Sequence, residues 1–330
     1  MKRFASILSA VILVSAITGC INRAYENAVV DKQAVEAFYD FGPIKEYGAR
    51  CDHEKRGISY AAGVPGEEAC VLDVYWNDHE GLQPALVQIH GGAWLVGDKQ
   101  GINSMFRSKY LANNGYVVFN VNYRMLPDYP IQTQVNDVMG AVVWVKEHAA
   151  EYGADPEKVG VLGGSAGGHL TAMVAWASDD SFFVPTGHAD SEYDSDVQAA
   201  VPYYGVFDLE EMLTLKRDYL ENFSLRFFTG MKNGPERDEL VRHISPEYHV
   251  GPELPPTLFI CGDRDDFGLY PQSVRFEKKL RDQGVETGLF TAKEAVHGFD
   301  NRYGENVSVE SIRAALSWFD EHLKGKVDSR

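Results

Sequence analysis

The sequence predicts an α/β fold: a mainly parallel central sheet, helices on both faces and a small cap insertion. Three observations point to it. From residue 85 onward, short β-branched or aromatic runs alternate with helix-length stretches. The run Val159–Leu162 is apolar throughout, as in a strand covered on both faces. Thr133–Tyr152 repeats apolar positions at helical spacing, through Val135, Val138, Val142, Val145 and Ala149, and stops at Gly153. With 330 residues, the chain can bury roughly three quarters of its unfolded surface in one large domain or two small ones.

The elements follow in order. Gly57–Ala61 and Cys70–Trp76 read as strands around the turn Gly63-Val64-Pro65-Gly66. Ala85–His90 is a short apolar run ending in glycines, and Ser104–Asn114 is helical up to Gly115. Tyr116–Tyr123 is rich in β-branched and aromatic residues and reads as a strand. Helix is expected over Ala166–Ser178, and strands over Val197–Tyr204, Thr257–Cys261 and Val285–Thr291. Pro271–Gln283 and Val307–Leu323 have amphipathic helical patterns. Residues 208–250 break the alternation and carry Met212, Leu213, Tyr219, Phe223, Phe227, Phe228 and Met231. They follow a strand's carboxyl end, where open α/β sheets bind ligands, so the stripe reads as a cap or as simple packing. The main domain is expected to span residues 51–325.

The formal charge of −17 repels phosphates and anionic headgroups, so nucleic acid is not expected as a partner, and a neutral substrate is favoured over an anionic one. Lys2 and Arg3 precede an apolar run from Phe4 to Ile17, too short to span a bilayer. It ends in Ile17-Thr18-Gly19-Cys20, which resembles the lipobox of bacterial lipoproteins. The resemblance implies a signal peptide over 1–19, lipidation of Cys20, and a tether with a short helix over 20–50. Acyl chains on Cys20 would contribute about 0.8 kcal/mol per buried methylene, so the membrane is a partner only through this anchor. Ile21, rather than Asp, after the cysteine implies the outer membrane if the source is Gram-negative. Export means an oxidising compartment, in which Cys51 and Cys70 are expected to pair while Cys261, in an apolar run, stays free.

Gly163-Gly164-Ser165-Ala166-Gly167 follows an apolar strand and opens a helix. A strand turning sharply into a helix strains the serine backbone and needs small neighbours. It presents the hydroxyl at the helix N-terminus, whose dipole favours developing negative charge. His90-Gly91-Gly92-Ala93-Trp94 also follows a strand, and its glycines let main chain approach a substrate. In α/β hydrolases, which this pattern resembles, such a loop partners the N–H after the nucleophile, and the resemblance implies Gly92, Ala93 and Ala166 as oxyanion donors; Trp94 is expected to narrow the substrate pocket. Of ten histidines, His297 in Val296-His297-Gly298-Phe299 lies in a loop after a strand and is the expected base. His90 reads as a loop-fixing residue, and His169, one helical turn past Ser165, cannot swing back to it. The acid comes from Cys261-Gly262-Asp263-Arg264-Asp265-Asp266, with Asp265 expected and Asp263 or Asp266 as alternatives. No zinc-type spacing and no phosphate loop is found, so neither metal nor cofactor is expected.

Together these stretches resemble the hormone-sensitive-lipase-like and acetylesterase or feruloyl-esterase-like branch of the α/β-hydrolase superfamily. Asn122-Tyr123-Arg124 with Pro127 and Pro130, and Tyr204-Gly205 with Asp208, belong to the match, which covers about residues 57–323. Two positions depart from it: Ala93 stands where many members have a third glycine, a form shared with kynurenine formamidases, and Phe267-Gly268-Leu269 replaces the usual Leu-Val-Pro. The resemblance implies an α/β-hydrolase fold, supports Asp265 as the acid, and implies hydrolysis of short-chain carboxylic esters through an acyl-enzyme. De-acetylation or de-feruloylation of plant polysaccharide, aryl formamide hydrolysis, and a non-catalytic binding lipoprotein are the rival expectations.

Overall fold

A computed structural model describes residues 51–214, 229–230, 234–301 and 306–325. The signal peptide, Cys20, the tether and most of the aromatic stripe of the 208–250 insertion lie outside the described residues.

Eight strands form one sheet: β1 (His53–Ser59), β2 (Val71–Trp76), β3 (Gln83–Ile89), β4 (Val117–Val121), β5 (Ala154–Gly164), β6 (Ala199–Tyr203), β7 (Thr257–Gly262) and β8 (Thr287–Ala292). Their order is β1-β2-β4-β3-β5-β6-β7-β8. The pairs β1·β2 and β2·β4 are antiparallel, and all others are parallel. The register brings the carboxyl ends of the parallel strands to one edge: Ile89 lies beside Gly163, Gly164 beside Tyr203, and Gly262 beside Ala292. β3, β4 and β6 are buried along almost their whole length, as strands covered on both faces must be.

Helices α1 (Ile102–Asn113), α2 (Ile131–His148), α3 (Ala166–Trp176), α4 (Leu209–Thr214), α5 (Pro235–His243), α6 (Leu269–Asp282) and α7 (Asn306–Phe319) connect the strands. After β3 the chain steps through α1 to β4, then crosses back over β3 to β5. Right-handed crossovers running in opposite directions place their helices on opposite faces. Accordingly α1 and α7 share a face: the Arg107 guanidinium lies 4.2 Å from the Tyr203 ring centre, and Tyr203 OH donates to Ser311 O at 3.2 Å. The opposite face holds α3 and α6, where Trp176 meets Phe276. Helix α3 is buried on every side. Each of its positions is small or apolar except His169 and Thr171, so it has no polar face to turn to water.

Two elements differ from expectation. Strand β1 starts at His53, earlier than expected at Gly57, because its charged run Glu54-Lys55-Arg56 sits on an exposed sheet edge. Charge on an edge strand discourages pairing with other chains. Strand β5 likewise begins at Ala154, ahead of its apolar part.

The expected Cys51–Cys70 bridge is corrected: Cys51, Cys70 and Cys261 are free thiols. The hairpin register explains why. Tyr60 N donates to Cys70 O at one end of the β1·β2 pair, while Cys51 precedes His53, which lies opposite Trp76 at the other end. A strand of seven residues, roughly 20 Å at about 3.3 Å per residue, separates the sulfurs. A bridge needs α-carbons within about 7 Å. Burial raises all three thiols, Cys70 and Cys261 to about 12, so none is a poised nucleophile.

Candidate active site

Ser165 sits between β5 and α3 with φ 59° and ψ −120°, a conformation L-residues rarely adopt. Such strain costs on the order of 1–3 kcal/mol and persists only where surroundings impose it. Here Ser165 N donates to Tyr203 O on β6 at 3.0 Å, and His169 N closes the first helical turn on Ser165 O at 2.9 Å. A Cβ at Gly167 would collide with the Ile89 carbonyl, so this position of the motif admits only glycine.

His297 follows β8 and turns at Gly298, whose φ is 68°. Its Nε2 lies 2.9 Å from Ser165 Oγ and its Nδ1 lies 2.8 Å from Asp265 Oδ2. A carboxylate oxygen accepts, so Nδ1 carries the proton and Nε2 is left to accept from the serine hydroxyl. The imidazole is 17% exposed and the Asp265 side chain is fully buried.

The three carboxylates of the acid loop separate by what each touches. Asp265 Oδ1 accepts from Phe267 N at 3.0 Å and Leu269 N at 3.4 Å, which fixes the carboxyl so that Oδ2 meets His297. Asp263 Oδ1 accepts from Glu294 N at 2.7 Å. Asp266 Oδ1 lies 3.4 Å from His297 N, against the backbone rather than the ring.

The loop Gly91–Trp94 faces Ser165 where the crossovers reverse between β3 and β5, the place at which open α/β sheets bind ligands. A Cβ on Gly91 would stand 3.4 Å from Ser165 Cβ, so the two segments are in close register. Gly92 has φ 129°, Ala93 53° and Trp94 60°. Leu95 N and Val96 N both donate to Gly92 O at 3.0 Å, closing the turn. The expected donors Gly92 and Ala93 thus follow directly on the Gly91 segment that lies against Ser165, and Ala166 follows Ser165 at the start of α3.

Trp94 is corrected from its expected role. It is 4% exposed and does not narrow a pocket; its indole N–H donates to His169 Nδ1 at 3.1 Å beneath the loop. The positive φ turns the side chain inward, where an apolar ring gains more than it would in water. His90 is also buried, its Nδ1 2.8 Å from Gly91 O and its ring stacked on Tyr123 at 4.4 Å. Burial lowers its imidazole below the usual range, so it stays neutral.

Around His297, Tyr204 and Phe267 entered the sequence reading only through the resemblance and without a role, and Asp300 and Arg107 did not enter it. The rings of Tyr204 and Phe267 each centre 4.6 Å from the His297 ring. Tyr204 OH donates to Asp300 Oδ1, and Arg107 Nη2 pairs with Asp300 Oδ2, all three groups being buried. Burial first, and the Asp300 charge second, raise the Tyr204 hydroxyl well above its usual range, so it remains a donor. Asp300 stands three residues after His297, and this pair ties the histidine loop to α1. Glycine context marked His297, but no short motif marks Asp300, whose partner Arg107 is 193 residues away.

His169 is fully buried, and burial pushes its imidazole down to about 4. Its unfolded value lies near 6.5, so the fold favours the neutral form. The stabilisation is whole above pH 6.5 and is lost as pH falls from about 6.5 to 4, on the order of 3 kcal/mol. The melting temperature of the wild type should therefore drop over this window more steeply than that of His169→Gln. Parallel slopes would mean that His169 does not carry the effect.

The BD-FAE family model matches residues 72–280. Among curated relatives, the probable carboxylic ester hydrolase LipM of Mycobacterium tuberculosis is 35% identical over 78% of this chain and 59% of its own length. Esterase LipQ of the same organism is 32% identical with the same coverage. The chain therefore spans about three fifths (59%) of the length of these relatives. Among solved structures, an inhibited Esterase B from Lactobacillus rhamnosis superposes with a TM-score of 0.72 at 22% identity, covering 94% of this chain and 97% of the other. That likeness establishes the α/β-hydrolase fold.

Proposed function

The chain belongs to the BD-FAE family, and from that membership we propose that it hydrolyses carboxylic esters, with Ser165 as nucleophile, His297 as general base and Asp265 as the acid that orients it. The observation that carries this reading is the hydrogen-bonded line Ser165 Oγ, His297, Asp265, anchored at a strained strand-to-helix turn.

His297 Nε2 takes the hydroxyl proton as Ser165 Oγ bonds to the ester carbonyl carbon, whose π electrons move to oxygen. Backbone N–H groups of Gly92, Ala93 and Ala166 receive that oxyanion, each contributing roughly 3 kcal/mol. Protonated His297 gives its proton to the departing alcohol. Water, deprotonated by the same imidazole, then attacks the acyl-enzyme and releases the acid. Asp265 holds Nδ1–H throughout and stabilises the imidazolium.

Short-chain acyl esters are the proposed substrates, because the Tyr204 and Phe267 rings take up room beside the reacting atoms. The net charge of −17 favours neutral ones. In a panel of p-nitrophenyl esters, acetate and butyrate should be cleaved faster than palmitate. The reverse ranking would make the protein a lipase, and release of acetate or ferulate from xylan would move the substrate class to polysaccharide. The proposal extends to an exported lipoprotein anchored through Cys20. Palmitate incorporation should disappear in Cys20→Ala, and labelling that survives the substitution would remove the anchor from the proposal.

A further inference from the structure

We infer that His169 is a positioning residue for the oxyanion loop, acting through the Trp94 indole. The inference rests on the esterase reading, since it concerns how the donors of that site are held.

Ala93 and Trp94 are consecutive non-glycine residues at φ 53° and 60°, directly after Gly92. A turn of this kind does not hold itself; its surroundings must over-determine it. Trp94 supplies the anchors. Its carbonyl accepts from Leu126 N at 2.9 Å and from Gln134 Nε2 at 3.0 Å. Its indole N–H donates to His169 Nδ1 at 3.1 Å, with the rings edge to face at 5.2 Å.

His169 can serve as that acceptor in one protonation state only. Its Nε2 lies 2.7 Å from Ile244 O, and a carbonyl accepts, so Nε2 carries the proton. An indole nitrogen only donates, so Nδ1 must be bare. Both ring nitrogens are thus committed, and this histidine is excluded as a second base. Its location gives the arrangement its meaning. His169 N bonds Ser165 O one turn into α3, the helix whose first N–H, on Ala166, is a proposed oxyanion donor. The other two proposed donors, Gly92 and Ala93, precede Trp94. One imidazole therefore keeps the two halves of the hole in register, and the far end of its hydrogen-bond chain reaches the segment after α5.

The test compares wild type, His169→Phe and His169→Gln with p-nitrophenyl butyrate and with an alkyl trifluoromethyl ketone, whose serine adduct places an oxyanion in the hole. Phe fills the space without an acceptor, whereas Gln restores one acceptor and one donor. His169→Phe should lose about 100-fold in kcat with KM within about threefold, the scale of a misplaced reacting group. Ketone affinity should fall in parallel, and His169→Gln should recover at least about tenfold of the loss. Wild-type kcat and ketone affinity in a folded His169→Phe would overturn the inference. So would a loss that Gln fails to rescue, which marks general packing. Should His169→Phe not fold, Trp94→Phe keeps an aromatic ring and removes the N–H; the same kcat loss is expected, and full kcat would overturn the inference. A wild type that neither cleaves esters nor binds the ketone would overturn the esterase reading, and this inference with it.

Discussion

Replacing Ser165 with alanine is expected to lower kcat for p-nitrophenyl butyrate by a factor on the order of 10⁴ to 10⁶. In the proposed mechanism this hydroxyl bonds the carbonyl carbon, with His297 Nε2 already 2.9 Å away. What survives is the activity of water held beside the proposed oxyanion donors. Because the groups act as one unit, adding His297→Ala to Ser165→Ala should cost little more. A fluorophosphonate probe should label the wild type and leave Ser165→Ala unlabelled. The variant should melt no lower than the wild type, since it removes no buried apolar group and leaves the α3 packing intact. Glycine at 165 should raise the melting temperature, because φ 59° is strained for every side chain and costs glycine nothing. Undiminished hydrolysis by Ser165→Ala would end the proposed mechanism.

Asp265→Asn should reduce kcat by about 10³- to 10⁴-fold while Asp263→Ala and Asp266→Ala stay within about tenfold of wild type. The reasoning is in the hydrogen bonds. Asp265 Oδ1 accepts from the N–H groups of Phe267 and Leu269, so an asparagine keeps its carbonyl oxygen there. Its NH₂ then replaces Oδ2 and faces His297 Nδ1. A donor at that place demands a bare Nδ1 and moves the ring proton to Nε2, where it blocks acceptance from Ser165. The other two aspartates hold backbone N–H groups and leave the ring alone. Equal losses from all three substitutions would instead mean that the loop's net charge matters, not one carboxylate.

The parts of the molecule that sequence made legible are those where backbone geometry restricts composition. The strand-to-helix turn at Ser165 tolerates only small neighbours, and the reversal after His297 uses Gly298, so both stand out among hundreds of ordinary residues. Trp94 shows the limit. A tryptophan beside a Gly-rich loop reads alike whether it faces substrate or core, and what turns it inward are Gln134 and His169, 40 and 75 residues away. The pairing of Arg107 with Asp300 has no local signature either, since each residue alone reads as a solvated charge. Strand β1 begins ahead of its alternating residues because an edge strand carries charges that read as loop. Cys51 and Cys70 illustrate a related point: nearness in sequence across a hairpin says nothing about which rungs of the ladder they occupy.

The order of the strands has a consequence for how the molecule comes into being. Ser165 and its turn depend on β3, β5 and β6, but the imidazole that must meet it comes 132 residues later, after β8 at the far margin of the sheet. During synthesis the proposed nucleophile is built long before its partner exists. A nascent chain that ends short of β8 carries the strained serine without the means to activate it. Recovery of turnover after dilution from denaturant should accordingly report the docking of the final strand, trailing any signal from the rest of the sheet.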